Sequence, residues 1–81
     1  MKITNLTEMK EGDEGKIVDI AAGWLALKRL ADLGLTVNTK IKIFKKAPFY
    51  GPIEIKCRGT KLAIGYGLCR KIFVTTNEAK K

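Results

Sequence analysis

The chain has 81 residues, 46% of them hydrophobic and 30% charged, with sixteen Lys/Arg against eight Asp/Glu. That length supports one domain with a small core, and the mixed composition excludes a low-complexity or wholly disordered chain. His, Ser and Gln are absent, which removes Ser–His and Cys–His nucleophilic pairs, imidazole metal ligands and a histidine general base.

The net charge of +8 is unevenly placed. Residues 1–35 carry five Lys/Arg and six Asp/Glu, whereas residues 36–81 carry eleven and two. The second half therefore makes a basic surface that attracts polyanions, acidic protein faces or anionic lipid. Met1 to Leu6 lacks the apolar stretch of a secretory signal. The longest apolar run, Ile20 to Leu27, falls far short of the roughly 20 residues a membrane-spanning helix needs. A cytoplasmic protein is expected, with its two cysteines, Cys57 and Cys69, held as reduced thiols.

In chain order, Thr7 to Glu14 reads as a polar turn segment. Lys16 to Ile20 reads as a first strand with Val18 and Ile20 facing inward. From Gly23 the period changes: Leu27, Leu30 and Ala31, with Gly34 one turn on, follow helical spacing, and Gly34 is placed to end a helix of about ten residues. Lys40-Ile41-Lys42-Ile43 returns to a period of two, and Phe44, expected in or near the core, breaks it as a bulge would. Ala47-Pro48-Phe49-Tyr50-Gly51-Pro52 is a loop, because two prolines and a glycine cannot continue a central strand. Ile53, Ile55 and Cys57 alternate with Glu54, Lys56 and Arg58 as a half-buried strand. Gly59-Thr60 turns the chain into Lys61 to Ile64. A non-strand piece, Gly65 to Arg70, leads to a last strand at Ile72 to Val74. Five short antiparallel strands with one helix inserted after the first make a mostly β chain, which hides its edges by closing into an SH3-like or OB-like barrel. The domain is expected over residues 1–76, followed by a disordered basic tail at 77–81.

The segment Arg29-Leu30-Ala31-Asp32-Leu33-Gly34-Leu35 resembles the R-L-x-x-L-G-L signature of the FeoA family. The family's A-P-x-x-G-P loop follows in step as Ala47 to Pro52, its R-G-x-x-L-A-L turn as Arg58 to Ile64, and its A-x-x-I-x-V close as Cys69 to Val74. The resemblance runs from about Leu6 to Val74. Asn38 stands where a Gly is usual, and Asn tolerates the left-handed backbone. The resemblance implies a small SH3-like barrel that accompanies ferrous iron transport. It would bind and modulate a FeoB-type transporter, which has a cytosolic GTP-binding region, through protein–protein contacts and without chemistry of its own.

The contacts expected are Leu33 and Leu35 at the helix end and Pro48, Phe49, Tyr50, Gly51 and Pro52 in the loop. Trp24, Leu25 or Leu33 left exposed would form a patch for docking or self-association. No cofactor or metal site is expected, since two thiols without imidazole make a poor one. The alternative is a basic SH3-like barrel that binds nucleic acid or acts as a repressor-type regulatory module. It is disfavoured because no outward aromatic alternates with the lysines.

Overall fold

The computed structural model describes residues 2–76; the tail expected at 77–81 lies outside the described residues. Six antiparallel strands form one sheet: β1 (Lys2–Asn5), β2 (Glu14–Ile20), β3 (Lys40–Lys46), β4 (Ile53–Cys57), β5 (Thr60–Ile64) and β6 (Ile72–Thr76), in the order β1-β6-β2-β3-β4-β5. Helix α1 (Trp24–Asp32) joins β2 to β3, and a single helical turn, α2 (Tyr66–Cys69), joins β5 to β6. This is the expected mostly β, SH3-like architecture with one more strand than the sequence pattern shows. The extra strand is β1, which pairs with β6 from Lys2↔Thr76 to Asn5↔Phe73. Its burial pattern does not alternate, so no period of two announces it.

Inward positions of the strands fill one core: Ile17 and Ile20, Ile41 and Ile43, Ile53, Ile55 and Cys57, Ile64, Ile72 and Val74. Leu6, Met9, Leu30, Leu35 and Cys69 close it from the connections. Two bulges explain where simple alternation fails. On β2 the register with β6 shifts between Ile17 and Asp19, so Val18 is the additional residue and stays half-buried. Ile17 and Ile20 point inward instead of the expected Val18 and Ile20. On β3 the shift lies between Ile43 and Lys45, which makes Phe44 the bulged residue as its position in the pattern implies. The bulge turns Phe44 outward rather than into the core, with 45% of its surface exposed. The β4–β5 turn comes one residue earlier than expected, at Arg58-Gly59, because Cys57 already pairs with Thr60.

The end of α1 is fastened by a Schellman motif. Leu35 N–H donates to the Leu30 carbonyl at 2.9 Å and Gly34 N–H to the Ala31 carbonyl at 2.9 Å. Gly34 occupies the left-handed C′ position with φ +93°, and Leu30 meets Leu35 in the core. Leu30 is the residue of α1 that is buried; Ala31 and Leu27, expected beside it, are exposed. The return to β3 uses Asn38 at φ +79°, whose N–H donates to the Ile17 carbonyl at 2.6 Å. Buried Thr39 supports it, its hydroxyl accepting from Thr36 N–H at 3.2 Å.

Gly34→Ala forces a Cβ into the left-handed region and should cost about 1–2 kcal/mol. Urea denaturation read by circular dichroism checks this, and Asn38→Gly should cost nothing comparable.

Candidate protein-docking site

The loop between β3 and β4 carries the most exposed aromatic side chains of the described residues. Phe49 is 93% and Tyr50 79% exposed. Both have positive φ, +57° and +59°, and Gly51 N–H donates back to the Pro48 carbonyl at 3.1 Å. This is the pattern of a type I′ turn, whose central positions ordinarily hold Asn and Gly. Two aromatic residues there store backbone strain on the order of 1 kcal/mol each. The surroundings enforce the conformation. Ala47 N–H donates to the Pro52 carbonyl at 3.1 Å across the loop's base. A Cβ on Gly51 would lie 2.7 Å from the Ala47 Cβ, so only glycine fits. Tyr50 also meets Tyr66 of α2 edge-on, with ring centroids 5.1 Å apart.

Lys46, the last residue before this loop, ties it to the N-terminal connection. Its ammonium donates to the Thr7 carbonyl at 2.8 Å and the Met9 carbonyl at 2.9 Å, and its N–H to Glu11 Oε2 at 3.0 Å. The charge is used up inside the fold and does not belong to the basic surface.

The second apolar surface lies on α1, where Trp24 is 71% and Leu25 72% exposed and Leu33 46%. Leu30 is the fully buried residue of α1 and Ala26 is half-buried, so most of the helix's other apolar surface stays at the exterior. Leu35, expected with Leu33 as a contact, is only 1% exposed. As the residue after Gly34 it is drawn inward by the helix-ending motif, and it belongs to the core instead.

The two surfaces are not brought together. Gly34, beside Leu33, accepts at its carbonyl from the Cys57 thiol, 3.8 Å away at the end of β4. Pro48 to Pro52 enter at the start of the same strand, and a strand of five residues separates its ends by about 13 Å. Tyr66, flanked by Gly65 and Gly67, carries no spacing that distinguishes it from a turn residue in the sequence.

Lys16, Lys40, Lys42, Lys56 and Arg58 line an open groove on the outer face of the sheet. Among the described residues no three His, Cys, Asp or Glu side chains converge as metal ligands would. Both cysteines are free and buried, Cys57 on the inward face of β4 and Cys69 at the end of α2. Burial pushes the Cys69 thiol from 9.0 up to about 12, against a smaller opposing pull from the Lys46 ammonium. Its S–H donates to the Ile64 carbonyl at 3.5 Å.

A family model for the FeoA domain matches residues 4–76. The chain belongs to the FeoA family. It is 38% identical over 69 residues to a Methanocaldococcus jannaschii protein bearing the name Fe(2+) transport protein A, covering 85% of this chain and 82% of that one. Among solved structures it is similar to an iron uptake regulatory protein (FeoA), with a TM-score of 0.84 at 34% identity over 95% of this chain and 100% of that one. The FeoA protein of Chlorobium tepidum superimposes with a TM-score of 0.87 at 32% identity, over 96% and 74% of the two chains. A manganese-dependent transcriptional repressor gives a TM-score of 0.85 at 20% identity, over 93% of this chain and 42% of that one. That likeness is one of fold. None of the described helices is long and apolar enough to cross a membrane.

The Cys69 thiol yields a pH dependence in this FeoA domain. Its folded pKa lies above the ordinary value, so its contribution to stability is complete below pH 9.0 and declines as pH rises toward about 12. The melting temperature should fall more steeply above pH 9 in the native chain than in Cys69→Ala, as followed by circular dichroism.

Proposed function

We propose that this FeoA-family chain is a cytoplasmic, non-enzymatic accessory protein of ferrous iron transport that docks on a FeoB-type transporter at its cytosolic GTP-binding region. Family membership over residues 4–76 supports the process, as do the names borne by its relatives, Fe(2+) transport protein A and iron uptake regulatory protein.

The observation that carries the docking mode is the 47–52 loop, where Phe49 and Tyr50 are exposed on a backbone that opposes their presence. Strain kept in a rigid, solvent-facing turn is characteristic of binding sites. The loop is already fixed, so little conformational entropy is lost when it docks, and two aromatic rings supply contact area. Phe49 and Tyr50, framed by Pro48, Gly51 and Pro52, form the principal contact. Leu33, on the far side of β4, forms a second contact reached only by a partner that spans the domain. Modulation of the transporter then follows from surface contacts, with no bond made or broken in this chain.

The test is titration of the full chain against the isolated GTP-binding region of a FeoB-type transporter, in each nucleotide state, by calorimetry. Saturable micromolar binding is expected. Phe49→Asn should raise the domain's own stability by roughly 1 kcal/mol, by relieving the left-handed strain, while weakening docking by more than about 1 kcal/mol. Leu33→Lys, which suits the end of a helix, should weaken docking without loss of fold. Unchanged binding by both variants would overturn the assignment of these surfaces.

A further inference from the structure

The outer face of the sheet concentrates unpaired positive charge to a degree the fold does not need. Cross-strand register sets Lys16 directly opposite Lys40, Lys42 opposite Lys56, and Lys56 opposite Lys61. Like charges in directly opposed positions are destabilising. Glu14, opposite Lys42, is the one acid lining the groove, and among the described residues the ion pair between side chains is Lys28–Asp32 on α1. Arg58, at the groove's rim, holds φ +54° as the first residue of the β4–β5 turn. That position favours Asn, Asp or Gly. Opposed strand residues lie about 5 Å apart and alternate residues on a strand about 7 Å apart. The cations therefore form a lattice at the scale on which a nucleic acid strand repeats its phosphates.

An aromatic side chain stands at the edge of this lattice. The β3 bulge turns Phe44 outward, and Lys61 Nζ lies 3.8 Å from the centroid of its ring. The cation covers one side of a ring that is still 45% exposed. A basic groove with an outward aromatic is the combination by which barrel folds hold single strands without reading sequence.

We propose that this groove binds single-stranded nucleic acid, with Lys16, Lys40, Lys42, Lys56 and Arg58 following the phosphates and Phe44 offering its ring to a base. Charge alone would also admit an acidic peptide or an anionic bilayer. A peptide of Glu and Asp gives Phe44 no partner of its own kind, and a flat bilayer meets the rim of a groove rather than its floor. The site is separate from the Phe49–Tyr50 loop and stands or falls independently of transporter docking.

The experiment is fluorescence anisotropy of a labelled oligothymidylate of about twelve nucleotides with the full chain. Polyglutamate of similar charge and vesicles containing anionic phospholipid serve as competitors. Binding should weaken about fiftyfold between roughly 50 and 200 mM salt, as expected for about four neutralised phosphates. Arg58→Gly relaxes the turn while removing a cation, so the melting temperature should hold or rise as the salt slope falls by roughly 0.7. Phe44→Ala should weaken binding roughly fivefold or more. The proposal is overturned if no binding appears at the lower salt, or if Phe44→Ala binds as tightly as the native chain. It is also overturned if polyglutamate or the vesicles compete as well as unlabelled oligonucleotide.

Discussion

A chain of 81 residues must draw its stability from one small apolar interior. Here that interior is the inner face of the sheet, capped by Leu6, Met9, Leu30, Leu35 and Cys69. Strands β2 to β6 commit inward side chains to it, and on β2 a bulge between Ile17 and Asp19 lets both Ile17 and Ile20 face inward. The Leu30–Gly34–Leu35 closure follows from the same demand. It fixes Leu30 and Leu35 in the interior and leaves most of the helix outside. Function on such a scaffold has only outward positions to use: the bulged Phe44, the lysines of the strands, the upper side of α1 and the tip of the 47–52 loop.

Much of this was legible in the residues. Period-two isoleucines in β3 and β4 marked their own faces, Gly34 marked the end of the helix, and Phe44 marked a bulge by interrupting its pattern. Other features escaped for physical reasons. β1 borrows its order from β6 and has no apolar face of its own, so nothing in Lys2 to Asn5 distinguishes it from a loop. The inward turn of Leu35 depends on the left-handed step at Gly34, which reverses the direction of the chain and defeats extrapolation of the helical face. The outward turn of Phe44 was hidden by the usual expectation that a phenylalanine beside Ile43 is buried. The loop could be recognised from Pro48 and Gly51, but the positive φ of Phe49 and Tyr50 is dictated by the closed base at Ala47 and Pro52. Spacing alone does not reveal it.

The two outward surfaces differ in kind. Phe49 and Tyr50 make a compact, preformed, uncharged knob. The groove over β2, β3 and β4 is open and lined by Lys16, Lys40, Lys42, Lys56 and Arg58. Surfaces so different in chemistry do not compete for one ligand. The roughly 13 Å of β4 between the loop and the end of α1 also separates two of the apolar contacts. The resemblance to a repressor, at 20% identity, is one of fold, and it carries no information about which side chains stand on the outer face.

The pairing of β1 with β6 sets Lys2 beside Thr76, so both ends of the described chain leave the domain at the same edge of the sheet. A module whose entrance and exit adjoin can be spliced into, or appended to, a longer polypeptide without disturbing its interior. The same fold thus makes up the whole of one FeoA chain and less than half of a repressor. Joined through that one edge, the module would leave the opposite end of the sheet and the tip of the 47–52 loop free for contacts.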